Sequence, residues 1–299
     1  MNAYLAHVNC SGSDQNASFA RRFAEHYGLR VVDVRMDKRF HGDAAHAVAG
    51  AAFVLIWNGM QYMGPLAAAL ARAKSIPIAF YEYGMLPQGE NYFVDLGGFC
   101  GDSMLSKALA WVTDEDRAAL AAERENLRSQ YPSADDGYTL VCLQIFNDSQ
   151  VLFYTPYHNM QDVVDYFESV IPGPLVIRPH PKGKSDYKTS RALVTNKGSF
   201  WQWASKAKSV VSCTSTCLYE AMVYGKPVMA IGNHPVRVHH PARHDDLAAA
   251  ALALNTPRGR DGDLAGILNR FGVRPLVCSA PSVVTKPHRV IEAQVEIPA

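Results

Sequence analysis

The chain has 299 residues, 48% of them hydrophobic and 19% charged, with a formal net charge of +1. That balance excludes a disordered segment, and the near-neutral charge provides neither a nucleic-acid surface nor a polybasic membrane anchor. The length accommodates two domains, and the longest apolar run, residues 47–57, is too short to cross a bilayer.

From the N-terminus, no basic region precedes a long apolar run, so no secretory signal is expected. Residues 3–10 read as a short apolar strand. Residues 13–28 read as a helix, with cap-type residues first, apolar spacing of three and four, and a closing glycine. Residues 29–36 and 51–59 read as strands, 64–75 as a helix opened by Pro65, and 76–84 as a fourth strand. Residues 85–103 carry Pro, Gly and aromatics without a clear period and are expected to be a long irregular loop after a strand end. A polar helix follows over 114–131, then a linker at 132–137.

The second half repeats the pattern. Strands are expected at 138–146 and 174–181, helices at 160–170 and 199–207, and a strand, helix and strand within 209–232. Late helices fall at 244–254 and 262–272. Alternating strands and helices predict parallel sheets covered by helices. The expected fold is α/β, with two Rossmann-like domains facing a cleft (GT-B-like): residues 1–131, residues 138–285, and a tail over 286–299. Of the six cysteines, at 10, 100, 142, 213, 217 and 278, only Cys213 and Cys217 are close in sequence, which predicts a reduced, cytoplasmic protein.

Four polar groups stand at or beyond the ends of apolar strands. Glu82 lies between two tyrosines, where a carboxylate is costly unless paired or used. Asp148, followed by Ser149 and Gln150, reads either as an Asx-type turn or as a functional carboxylate. His180 is clamped by Pro179 and Pro181, and Arg178 and Lys182 beside it favour an anion site. Ser212, Thr214, Ser215 and Thr216 cluster where a helix begins. They either cap its first turn or, with its N–H groups and dipole, seat a phosphate. Glu220, further along that helix, reads as a ribose contact or as a partner for Lys226 or solvent.

Other signals are weaker. His234, His239, His240 and His244 lie in one stretch, but Pro241 interrupts the only helical-spaced pair and no ligand set is completed, so a loop lining the nucleotide pocket is the preferred reading and no metal is expected. Asp261 and Asp263 match a D-x-D pattern, with Asp263 reading as a helix cap. No G-x-G-x-x-G, Walker A or G-x-S-x-G motif is present.

The stretches "YEYGMLP…D…GG", "LQIFNDSQ", "IRPHPKG" and "SCTSTCLYEAMVYGKPVMAIG" together resemble the retaining β-Kdo glycosyltransferases of bacterial capsule and lipopolysaccharide synthesis. Asp148 lies 32 residues before His180 and 66 after Glu82. The resemblance spans roughly residues 80–232 and implies a CMP-β-Kdo donor and a two-step reaction. In it Asp148 is the nucleophile, Glu82 the acid/base, and His180 with residues 212–216 the stabiliser of the departing phosphate. It also implies a glycan or glycolipid acceptor, polysaccharide biosynthesis, peripheral association with the inner face of the cytoplasmic membrane, and no cofactor beyond the donor. The residues themselves leave open another CMP-ulosonic acid, a nucleotide-sugar 2-epimerase, or a non-catalytic nucleotide-sugar-binding protein.

Overall fold

The computed structural model describes residues 3–9, 14–34, 42–60, 64–88, 90–257, 264–276 and 289–291. Two compact units emerge: Met1–Phe99 with Leu254–Ala299, and Cys100–Ala253. The first opens with β1 (Tyr4–Val8), α1 (Asp14–His26), β2 (Arg30–Val34), α2 (Gly42–Ala49), β3 (Phe53–Trp57), α3 (Gly64–Ala73), β4 (Ile78–Tyr83) and β5 (Asn91–Asp95). The second holds α4 (Asp114–Gln130), β6 (Thr139–Cys142), α5 (Ser149–Tyr154), α6 (Met160–Val170), β7 (Leu175–Arg178), β8 (Leu193–Val194), α7 (Phe200–Ala204), β9 (Ser209–Ser212), α8 (Cys217–Tyr224), β10 (Val228–Ala230), α9 (Pro235–Val238) and α10 (His244–Ala253). The chain then returns to the first unit as β11 (Asn255–Pro257), α11 (Leu264–Arg270) and β12 (Arg289–Ile291).

The fold is mixed α/β, as expected, with one mainly parallel sheet in each unit. In the first the strand order is β11-β5-β4-β3-β1-β2-β12. β3 is buried along its whole length because it is a central parallel strand covered on both faces, which is why Phe53–Trp57 is a continuous apolar run. α1 turns Ala17, Phe19, Ala20, Phe23 and Ala24 inward at helical spacing.

The expected irregular loop over 85–103 is corrected here. It contains β5, antiparallel to β4 with Glu82 opposite Phe93, and the 3-10 turn Cys100–Asp102, with a second such turn, Met104–Ser106, directly after it. All five residues of β5 are buried, so it shows no alternation from which a strand could be read.

The units also divide differently from the expected boundary at 132–137. α4 belongs to the second unit. Arg124 on it donates to the terminal carbonyls of α8, Val223 O (2.9 Å) and Met222 O (3.0 Å), and pairs with Asp245 on α10 (2.7 Å). Thr113 and Asp116 close a capping box at its start. Beyond Ala253 the chain rejoins the first sheet, with β11 beside β5 and β12 beside β2. Residues 289–291 of the expected tail are thus an edge strand.

In the second unit the order is β10-β9-β6-β7-β8, all parallel. Its core places Met160, Val163, Val164 and Phe167 of α6 against Val141 and Ile177 of the sheet. Glu168, on the outer side of α6, pins residues 189–192. It accepts from the amides of Ser190 (3.1 Å), Arg191 (3.1 Å) and Ala192 (3.2 Å) and from the Thr189 hydroxyl. Burial alone would raise its pKa, but these donors outweigh it and pull the value down to about 2. A lowered folded pKa means stability that is present above the unfolded carboxylate value and lost as pH falls from about 4.5 towards 2. Thermal unfolding of the Glu168→Gln variant and the wild type should therefore differ at pH 7 and converge near pH 2. A constant gap across that range would refute the assignment.

Candidate active site

In the second sheet the chain runs outward from β6 through β7 to β8, then crosses to the other side of β6 for β9 and β10. The order therefore reverses between β6 and β9. In open α/β sheets the crevice at the carboxyl ends beside such a reversal is where ligands bind. Three adjacent strands, β9, β6 and β7, deliver Ser215 and Thr216, Asp148, and His180 to that one edge.

The four clustered hydroxyls separate into two pairs. Ser212 is fully buried and donates to Cys142 O (2.6 Å), while Thr214, 1% exposed, gives both its amide (2.9 Å) and its hydroxyl (3.2 Å) to Gln144 Oε1. These two stitch β9 to β6 and are occupied in doing so, contrary to the expectation that all four hydroxyls face a phosphate. Ser215 and Thr216 are half-buried at the mouth of α8. Ser215 Oγ accepts from Cys217 N (3.3 Å), whereas Thr216, at the N-cap, makes no side-chain cap. Gly232, at the end of β10, lets α5 approach this turn. A Cβ there would lie 2.5 Å from the Thr214 methyl and 2.8 Å from that of Thr155.

Asp148 is the N-cap of α5, a helix absent from the sequence reading, and its Oδ1 accepts from Gln150 N (2.9 Å). The turn reading is thus realised. It engages one carboxylate oxygen and presents the half-buried side chain at the strand edge.

His180 Nδ1 accepts from Lys182 N (3.1 Å), so the neutral ring carries its proton on Nε2. Desolvation lowers its pKa; the Asp148 carboxylate opposes this and Lys182 adds to it. A neutral ring with an Nε2–H donor is the form that can meet an anion without first taking up a proton.

Arg178 is committed elsewhere, its guanidinium donating to Lys197 O (3.2 Å) and Gly198 O (2.7 Å). The Lys182 side chain is exposed, and Glu220 is half-buried on α8. The proposed partner of Glu220, Lys226, donates to Ala134 O (3.3 Å) and lies over the Tyr224 ring.

Glu82, in the first unit, is 9% exposed at the end of β4 and accepts from Asn58 Nδ2 (3.2 Å). The aspartate of the same quoted stretch, Asp95, turns the Gly-Gly corner by accepting from Gly97 N (2.7 Å) and Gly98 N (3.2 Å).

The histidine stretch is structural where its bonds are seen. His234 Nδ1 caps α9 through Val236 N, and the ring packs on Tyr219 at 4.8 Å, with burial taking its pKa down to about 3. His240 caps the 3-10 turn Pro241–Arg243, and His239 Nε2 meets Leu105 O at 2.6 Å. Among the described residues no group of three His, Cys, Asp or Glu could hold a metal ion, and no helix is long and apolar enough to cross a membrane. Asp261 and Asp263 lie outside the described residues.

Two residues of this geometry escape a sequence reading. Gln144 is a lone polar group in the apolar run that continues past β6, and Asn58 sits in an Asn-Gly pair, a turn signal after a strand.

No protein-family model matches the chain, and no curated protein matches it. Among solved structures, Thermosulfurimonas dismutans KpsC, a β-Kdo 2,7 transferase, matches 90% of this chain and 99% of its own, with a TM-score of 0.59 at 17% identity. The two share a fold. The resemblance read from residues 80–232 is thus met by a likeness of fold that, at 90% of the chain, extends beyond that stretch into both units. UDP-GlcNAc 2-epimerase from Methanocaldococcus jannaschii matches 77% of this chain and 83% of its own at 12% identity, and the wall teichoic acid polymerase TagF matches 77% and 70% at 8% identity. Both have a TM-score of 0.27, too low to bear on this fold beside KpsC.

Proposed function

We propose that this protein is a retaining glycosyltransferase that moves Kdo from CMP-β-Kdo to a glycan or glycolipid hydroxyl. The observation that carries the reading is the strand order β9-β6-β7, which gathers a phosphate-type seat, a carboxylate and a neutral histidine donor at one switch point. The KpsC fold supports the choice of donor.

In the first step an Asp148 oxygen attacks the anomeric carbon, the bond to the phosphate oxygen breaks, and its electron pair leaves with CMP. His180 Nε2–H, the amides of Ser215 and Thr216, and the hydroxyls of the same two residues meet the charge that grows on that phosphate. In the second step the acceptor oxygen attacks the same carbon, its proton passes to the Glu82 carboxylate, and the ester to Asp148 breaks. Two displacements give net retention. Lys182 and Glu220 are assigned to the donor as charge and ribose contacts. Arg178 acts through the 197–198 carbonyls that it holds.

Intact-protein mass spectrometry after mixing with freshly generated CMP-Kdo tests this reading, which expects a mass increase of one Kdo residue. No adduct, with CMP still bound, would overturn the Kdo donor or the double displacement.

Calorimetry with CMP separates the two hydroxyl pairs. A hydrogen bond to a charged group is worth roughly 1.5–3 kcal/mol, so Thr216→Ala should weaken CMP by about tenfold or more at an unchanged melting temperature. Ser212→Ala should lower the melting temperature and leave CMP affinity in place. The reverse pattern would make the cluster a plain helix start.

A further inference from the structure

At the end of β3 the chain turns sharply. Asn58 has φ +60°, its N–H donates to Tyr81 O (2.9 Å), and Gly59 N donates back to Trp57 O (2.7 Å). Gly59, at φ +76°, has no room for a side chain, since a Cβ would lie 2.4 Å from Phe80 Cδ1. Trp57 is in register with Tyr81, so the next residue on each strand, Asn58 and Glu82, falls on the opposite face together. Asn58 Oδ1 accepts from Met60 N (3.3 Å), which turns Nδ2 towards Glu82 Oε2 (3.2 Å) and fixes the amide's orientation. Both side chains are 9% exposed.

We infer that Asn58 is the positioning residue for Glu82: its amide holds that carboxylate in one orientation and in its ionised form. This rests on the reading of Glu82 as the acceptor of the incoming hydroxyl's proton. An asparagine tolerates the left-handed backbone of this turn and brings a donor with no charge. Aspartate would fit the backbone but repel the carboxylate, and glycine would fit but donate nothing. Among the described residues, Asp95 and Arg72 bring charge to the same face from packed elements. Asp95, on β5 opposite Phe80, accepts from Gly97 and Gly98 amides, and Arg72, on α3, lies over the Phe80 ring and donates to Gly97 O. On β4 itself Tyr81 and the exposed Tyr83 face the other way, towards Trp57.

The test is a carbon-13 titration of glutamate carboxyls in the full chain, with the Glu82 signal identified by its loss in Glu82→Gln. A donated hydrogen bond favours the ionised form, so losing it raises the pKa. Asn58→Gly, which suits φ +60° and should keep the melting temperature, is expected to move the Glu82 midpoint up by about one pH unit. Asn58→Asp is expected to move it further. With CMP release from CMP-Kdo above the no-enzyme rate as the second readout, the acid limb of kcat should move up by the same amount, with KM little changed. Unmoved midpoints in both variants overturn the inference. A moved midpoint with turnover untouched by Glu82→Gln overturns instead the role given to Glu82, and leaves the Asn58–Glu82 pair as found.

Discussion

Asp148→Asn is expected to slow the proposed glycosyl transfer by at least about 10³-fold and to leave the melting temperature where it was. The two halves of this expectation come from the cap that this side chain forms and from the catalytic role proposed for it. As N-cap of α5, Asp148 uses Oδ1 to accept from Gln150 N, and asparagine caps a helix about as well as aspartate. As the proposed nucleophile it would supply an ionised oxygen to the anomeric carbon, and a neutral amide lacks one. Alanine confounds the two, because losing the cap costs about 1 kcal/mol in addition to the chemistry. Initial rates of CMP release, intact mass and thermal unfolding of both variants resolve them. Full turnover in Asp148→Asn would reduce the residue to a cap and sink the double displacement. Lost turnover with the Kdo adduct still forming would place the nucleophile elsewhere.

Phe167→Ala is expected to remove about 3–5 kcal/mol of stability, the largest effect on folding in the second unit. Phe167 is fully buried and sits with Met160, Val163 and Val164 on the inner stripe of α6, against Val141 and Ile177. Alanine is the better helix former, so the loss comes from transfer free energy and the cavity left behind rather than from helix propensity. Against a typical total of roughly 5–15 kcal/mol this is a large share. Urea unfolding followed by tryptophan fluorescence measures it, since Trp111, Trp201 and Trp203 all lie in this unit. Phe167→Leu, which keeps most of the volume, should cost less than half as much. A loss below about 1 kcal/mol for alanine would mean that α6 does not pack on the sheet as described.

The elements that carry the site were legible where local pattern and tertiary role agree. α6 was readable at Met160–Val170 because its apolar residues repeat at helical spacing. The turn at 212–216 was readable because hydroxyls and a closing glycine bracket an apolar helix. β5 was not, since a strand covered on both faces has no alternation. Nor was the division into units. α4 looks like the end of a first domain, yet its buried Leu120 and Leu127 and the Arg124 bonds to α8 and α10 tie it to the second.

By itself the sequence determined the residue types at the strand ends: a carboxylate at 148, a clamped histidine at 180, hydroxyls at 212–216 and a carboxylate at 82. Covalent neighbours and periodicity suffice for that. Only the tertiary structure decided which of those groups are spent on the fold. Ser212 and Thr214 turn inward because β9 lies beside β6 and the Cys142 carbonyl and Gln144 side chain need partners there. Asn58 meets Glu82 because β3 lies beside β4 in a register that faces them alike. Strand order and register are set by contacts between residues far apart in the chain, and those contacts leave no local periodicity in the sequence.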